Sequence, residues 1–245
     1  MRKNPIHLLM MAVTLLLGAT LAMAAGYAVI GHAELKALVD SNAPAFLLVD
    51  ARNPEEYHQA HIPGAINIPV AKFERFTGLL PADKNTMLVF YCNGVKCGKS
   101  KKAAEKALQL GYANVHVFAE GMPVWEELGY NFYKGGDYEK RIETTKISPG
   151  DLKKLMDSQP ETLQIVDVRD AEEFAEGHIP GAINIPLNTF ASKSGILDKS
   201  KKVVVYCNSG GRSYDAYRKL MKLGYKDIAQ TIFADWKAAG LPVEK

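Results

Sequence analysis

Cys207 stands where a run of β-formers meets a glycine-bearing turn. The segment Val203-Val204-Val205-Tyr206-Cys207-Asn208-Ser209-Gly210-Gly211-Arg212-Ser213 reads as strand, loop and helix start in immediate succession. A side chain at the carboxyl end of a buried strand faces the crevice where α/β folds bind ligands, and loop N–H groups converge there with a helix N-terminus as a nest for an anion. Gly210 and Gly211 permit the φ values that turn those N–H groups inward. The anion would be the Cys207 thiolate. An ordinary thiol with a pKa near ~8.5 is only a few per cent ionised at pH 7, and a helix N-terminus with an adjacent cation lowers that value. Arg212 is the cation on offer. A sulfur ionised in this way is both a nucleophile and a tolerable leaving group, which are the two properties a sulfur carrier needs in its two half-reactions. It would attack a sulfane sulfur, become a persulfide and yield that sulfur to an acceptor, with no metal or organic cofactor. Free cysteine is often a buried, inert residue, but an inert one has no need of Gly-Gly-Arg beside it.

The elements that would position this site occur twice. His61-Ile62-Pro63-Gly64-Ala65-Ile66-Asn67-Ile68-Pro69 recurs unchanged as His178 to Pro186, 117 positions further on, and the register holds back through Asp50 and Asp167 and Arg52 and Arg169 to Ile30 and Ile147. Tyr91-Cys92 then pairs with Tyr206-Cys207 at 115, and Leu110-Gly111-Tyr112 with Leu223-Gly224-Tyr225 at 113. The first copy therefore carries two extra residues before its cysteine and two more around the cysteine loop.

Apolar runs of strand length alternate with helix-period segments in each copy, the signature of a parallel sheet covered by helices. Strands are expected at 164–168, 182–185 and 203–206. A helix is expected over Ser213 to Leu223, closed by Gly224, and its counterpart over Lys101 to Leu110, closed by Gly111. The fold class is thus α/β, with two tandem domains, each a small parallel sheet flanked by helices. The first spans 25–129 and the second 147–245. The segment 130–146, with Gly135-Gly136 and many charges, reads as the linker.

Three elements of the second copy, Val166-Asp167-Val168-Arg169, then Gly177-His178-Ile179-Pro180-Gly181-Ala182, then Cys207 to Ser213, together resemble the rhodanese superfamily, and the first copy repeats the first two. The resemblance runs from about Ile30 to Pro242. It implies a sulfurtransferase whose donor is thiosulfate or a persulfide and whose acceptor is a thiol, which a protein can supply, or cyanide. It also implies that Cys207 is the catalytic cysteine, that Asn208, Ser209, Gly210, Gly211 and Ser213 belong to the loop cradling the persulfide, and that Arg212 contacts the substrate anion.

Cys92-Asn93-Gly94-Val95-Lys96-Cys97-Gly98-Lys99-Ser100 departs from that pattern, with a longer loop and no Arg. Lys96 and Lys99 are candidate replacements for the charge, as point cations without guanidinium geometry. Cys97 could resolve a persulfide or mixed disulfide on Cys92, leaving a Cys92–Cys97 bridge. The alternative is a degenerate copy kept for packing.

Two functions of other classes compete. A cysteine-dependent phosphatase needs five residues between its cysteine and arginine, and only four separate Cys207 from Arg212. A non-catalytic or redox partner-binding module is argued against by the intact second loop for that copy and stays open for the first. Other conspicuous residues read as structural. Asp50, Arg52, Asp167 and Arg169 would brace strand ends, His61 and His178 would fix the Ile-Pro-Gly turn, and Trp125 and Trp236 would be core.

The chain has 245 residues, 47% hydrophobic and 23% charged, the composition of a globular protein. Arg2 and Lys3, the apolar run Leu8 to Met23 and Ala22-Met23-Ala24 read as a signal peptide at 1–24, hence a periplasmic or otherwise exported protein with no stable membrane association after cleavage. Removing those two charges from the net +3 leaves near neutrality. Charge therefore gives no reason to invoke nucleic acid as a partner.

Overall fold

Successive side chains of a strand point to opposite faces, so a strand that is apolar throughout must be covered on both. The strand Lys202–Cys207 sends Val203, Val205 and Cys207 into one buried cluster and Val204 and Tyr206 into another. Met87–Tyr91 does the same in the first copy, with Leu88 and Phe90 on one side and Val89 and Tyr91 on the other. Each domain accordingly has two cores, one on each face of its sheet.

The computed structural model describes residues 26–41 and 46–245. The signal peptide expected at 1–24 lies outside the described residues. The first domain runs β1 (Ala28–Val29), α1 (His32–Asp40), β2 (Phe46–Asp50), α2 (Pro54–Gln59), β3 (Ala60–His61) and β4 (Ile66–Asn67). After a 3-10 run at Val70–Leu79 come β5 (Met87–Tyr91), α3 (Lys99–Gln109), β6 (Val115–Phe118), α4 (Gly121–Glu127) and β7 (Tyr133–Lys134). The second continues with α5 (Pro149–Ser158), β8 (Leu163–Asp167), α6 (Ala171–Glu176), β9 (Ile183–Asn184) and α7 (Phe190–Lys193). It ends with β10 (Lys202–Cys207), α8 (Gly211–Lys222), β11 (Ile228–Ile232) and α9 (Phe233–Ala238).

The sheets are parallel, in the orders β1-β6-β5-β2-β4 and β11-β10-β8-β9. The α/β class and the repeat are as the sequence leads one to expect. In the second domain the counterpart of β1 is reduced to a single parallel bridge from Lys146 to Gln230, backed by the Ile147 N–H on the Gln230 carbonyl at 3.0 Å.

The segment 130–146 is folded, not a free tether. Ala60 and His61 pair antiparallel with Lys134 and Tyr133, while Tyr130, Phe132 and Tyr138 pack on the first domain's core and Ile142 packs on the second's. Its aromatic residues dock it, a signal outweighed in the sequence by the neighbouring glycines and charges. The two domains touch. Lys222 pairs with Glu126 at 2.8 Å, Arg218 donates to the Tyr138 carbonyl at 2.6 Å, and the Ser192 N–H meets Glu127 at 3.0 Å.

Candidate active site

Because β10 is flanked by β8 and β11 and ends at Cys207, its last side chain is delivered to the carboxyl edge of the second sheet. The chain must then reverse into α8 within three residues. Gly210 makes that possible with φ 102° and ψ −18°, a left-handed conformation, and a Cβ there would come within 3.0 Å of Ile232 Cδ1. Gly211 begins α8 without a positive φ. One glycine therefore performs the turn and the other starts the helix.

That turn aims donors at the sulfur. The Gly210 N–H lies 3.1 Å from Cys207 Sγ, the Ser213 N–H 3.4 Å and the Ser213 hydroxyl 3.4 Å. Burial of Cys207, 1% exposed, opposes ionisation, but the Ser213 hydroxyl and the amides of Ser213, Ser209 and Gly210 outweigh it and hold the thiol below its ordinary value. Asn208 contributes its backbone, its carbonyl accepting from the Ala234 N–H at 3.2 Å. Ser209, Gly210 and Gly211 line a groove of about 990 Å³ with the segment 141–149 and Gln230.

Arg212 was expected to be the cation that ionises the sulfur. Its guanidinium is held by both oxygens of Glu173, with Asp170 3.4 Å away, and it sits half-buried at the rim, where it still interacts electrostatically with Cys207. The pull on Cys207 comes first from the hydroxyl and amides of the loop.

The same strand edge of the first domain delivers Cys92, 1% exposed, at the end of β5. Two extra residues change what faces it. Cys92 Sγ lies 3.2 Å from the Cys97 carbonyl oxygen and 3.2 Å from Ser100 Oγ, so this loop brings a carbonyl acceptor to the sulfur beside the serine hydroxyl. Cys97 is partly exposed, and among the described residues all three cysteines are free thiols. Lys99 pairs with Glu56 at 2.9 Å, as Arg212 pairs with Glu173 in the second domain. Lys96 reaches across to the Leu197 carbonyl of the second domain. Of the two cations proposed from the sequence, Lys99 takes the place of Arg212 and Lys96 ties the domains together.

Comparison with known proteins matches this chain to the rhodanese-like domain twice, over residues 31–128 and 148–238. The chain belongs to the rhodanese-like family. A sulfurtransferase of Allochromatium vinosum is 37% identical to it over 86 residues, covering 34% of this chain and 79% of its own. The thiosulfate:glutathione sulfurtransferase of Saccharomyces cerevisiae is 32% identical over 108 residues, covering 39% of this chain and 76% of its own. The solved thiosulfate sulfurtransferase of Pseudomonas aeruginosa aligns at 22% identity with a TM-score of 0.40, over 89% of this chain and 43% of that one.

Each rhodanese-like domain braces its site with the same buried network. Arg169 clasps Asp167 through Nε and a terminal nitrogen and donates to the Gly177 carbonyl at 2.7 Å, and Arg52 does the same with Asp50 and the Ala60 carbonyl at 2.6 Å. The Tyr206 hydroxyl takes the Ile179 N–H at 3.1 Å, pinning the His-Ile-Pro-Gly turn, and Tyr91 does so for Ile62 at 3.2 Å. His178 stacks on Phe174 at 3.7 Å and donates Nδ1–H to its carbonyl at 3.0 Å. His61 likewise stacks on Tyr57 at 3.9 Å. These residues and the buried Trp125 and Trp236 are structural, as expected.

Gln230 escaped the sequence reading. Its side-chain amide donates to both Ser213 Oγ and the Gly210 carbonyl at 2.8 Å. The available signal was one polar side chain inside the otherwise strand-forming run Ile228–Ile232. Among the described residues no group of three His, Cys, Asp or Glu side chains could hold a metal.

Proposed function

We propose that this protein is a sulfurtransferase that moves sulfane sulfur from thiosulfate or a persulfide donor to a thiol or cyanide acceptor through a persulfide on Cys207. The observation that carries the proposal is the donor ring at Cys207, with the Gly210 amide at 3.1 Å and the Ser213 amide and hydroxyl at 3.4 Å. Donors fixed in place before reaction favour the sulfur anion both as nucleophile and as leaving group. In the first half-reaction the thiolate attacks the outer sulfur of thiosulfate, forming Cys207–S–S⁻ and releasing sulfite. In the second, cyanide or a thiolate attacks the outer sulfur of Cys207 and the original thiolate returns. The persulfide is the only covalent intermediate, and no cofactor enters either step.

The named sulfurtransferases among the relatives support this reading of the reaction class. The acceptor thiol can belong to a small molecule or to a protein, since either thiolate can attack the outer sulfur. The N-terminal pattern supports an exported, periplasmic setting with no lasting membrane attachment, and the near-neutral charge gives no reason to invoke a nucleic-acid partner. Thiosulfate:cyanide transfer by the full chain, with and without Cys207→Ser, is the test. We expect near-total loss in the variant and one added sulfur atom on Cys207 of the unmodified protein. Undiminished turnover by Cys207→Ser would overturn the assignment.

A further inference from the structure

The side-chain amide of Gln230 has two ends, and its surroundings leave it one orientation. At the inner end lies the Gly210 carbonyl, which only accepts, so the nitrogen must face it and Ser213 Oγ, each at 2.8 Å. The oxygen is then turned outward on a residue only 7% exposed, and that acceptor needs a donor of its own. The donor is Thr144, whose hydroxyl lies 3.1 Å from Gln230 Oε1. Thr144 stands outside the loop and α8, in the segment 130–146 that joins the two domains.

That segment is held on both sides of Thr144. The Ile142 N–H donates to the Tyr214 hydroxyl at 3.0 Å and its side chain packs on the second domain's core, while the Thr145 carbonyl accepts the Gln230 N–H at 2.8 Å. Nearer the first domain, Tyr138 packs on that domain's core and its carbonyl accepts from Arg218 of α8. The repeat supplies a control. Val29 pairs with Val117 as Lys146 pairs with Gln230, which puts Val117 in the place of Gln230 and Tyr27 in the place of Thr144. Both first-domain residues pack on the core. The polar pair is thus replaced at both positions in the copy whose loop brings a carbonyl to its cysteine.

Given Cys207 as the reacting thiol proposed above, on which this rests, we infer that the segment joining the domains is a working part of the Cys207 site. Thr144 is its positioning residue, fixing the Gln230 amide so that Ser213 gives its proton to the sulfur. The donors run in one direction. Thr144 donates to Gln230, Gln230 donates to Ser213 Oγ, and the Ser213 hydroxyl faces Cys207 Sγ at 3.4 Å. Hydrogen bonds aligned in this way polarise one another, and the last of them falls on the atom that must carry the charge. Without the Thr144 hydroxyl the amide loses the partner that holds its outer end, and Ser213 is freer to turn to the Gly210 carbonyl at 3.2 Å. Thr144 itself touches no reacting atom.

The test is the pH dependence of iodoacetamide labelling at Cys207 in the full chain, read by peptide mass mapping so that Cys92 and Cys97 do not intrude. Labelling reports the thiolate whatever donor or acceptor the protein uses, so failure here is distinct from failure of sulfur transfer. Thr144→Val keeps the branched side chain and removes its hydroxyl. It should move the Cys207 inflection to higher pH and slow labelling near neutrality about threefold. Thr144→Ser should keep the profile of the unmodified chain. In a Gln230→Val background Thr144→Val should add nothing, because the relay is already cut. The charged groups around the site are Arg212 with Glu173 and Asp170 at the rim and Arg141, Glu143, Lys146 and Asp235 along the groove, and these substitutions alter none of them. An unmoved inflection in Thr144→Val, or the same shift in Thr144→Ser, would overturn the assignment. So would equal slowing in the Gln230→Val background, which would trace the effect to a loosened segment and not to the lost hydroxyl.

Discussion

The side-chain amide of Gln230 donates to the Ser213 hydroxyl at 2.8 Å, and the consequence falls on a third residue. Once its oxygen accepts from Gln230, Ser213 has one proton to give, and Cys207 Sγ at 3.4 Å and the Gly210 carbonyl at 3.2 Å are its acceptors. Ionising Cys207 draws that proton to the sulfur. Gln230 therefore acts on the reacting atom through Ser213, as a positioning residue. Gln230→Val, the first domain's arrangement, should raise the Cys207 pKa and cut kcat/KM near neutrality about tenfold. A pH profile separates this from simple structural damage, because raising the pH above the new pKa should restore most of the rate. A deficit equal at every pH would count against the relay.

Gly210 offers a harsher change at the same place. Its left-handed φ of 102° and the 3.0 Å approach of a Cβ to Ile232 leave no relaxed conformation for alanine. The strain should cost about 1–3 kcal/mol of stability. It should also swing the amide away from the sulfur, so Gly210→Ala should lose persulfide loading more steeply than it loses melting temperature. Mass spectrometry after thiosulfate and a thermal melt measure the two. Gly211→Ala, at the start of α8 with no positive φ and open space around its Cβ, should leave the loop intact.

The contrast between these glycines marks how far sequence alone carries. Sheet class, two-fold repetition and the cysteine's place at a strand end were legible, because period-two burial and the strand-to-helix order are local properties. Which glycine turns the chain was not, since Gly210 and Gly211 are equivalent in composition and differ only in φ. Arg212 was legible as a cation near the loop but not as the partner of Glu173, which lies 39 positions earlier and meets it only when α6 packs beside the loop. Gln230 was missed for the same reason. Its meaning lies in β11 pairing with β10.

The Arg212–Glu173 pair sets how strongly the rim attracts an anionic donor. Both Glu173 oxygens hold the guanidinium, and Asp170 adds a second negative charge. Glu173→Gln keeps the side chain's shape and its reach to the Asp170 amide while removing the opposing charge. The KM for thiosulfate should fall about three- to tenfold at low ionic strength, with kcat little changed and the gain shrinking as salt is added. Steady-state kinetics at two salt concentrations would show it, and an unchanged KM would mean that Arg212 does not face the incoming donor.

Asp167 and Arg169 bear on stability in place of chemistry. Asp167 is wholly buried and Arg169 is 5% exposed, so each charge depends on the other and on the Gly177 carbonyl that Arg169 also holds. Arg169→Met should destabilise the second domain by about 3–5 kcal/mol, because a carboxylate is left in the interior without its counter-ion. Asp167→Asn combined with Arg169→Met should recover part of that loss, since the uncompensated charge is then gone. Urea unfolding of the single and double variants tests this ordering. If the double variant were no more stable than the single, the cost would lie in the lost grip on Gly177, and the network would act by tethering the turn that carries His178.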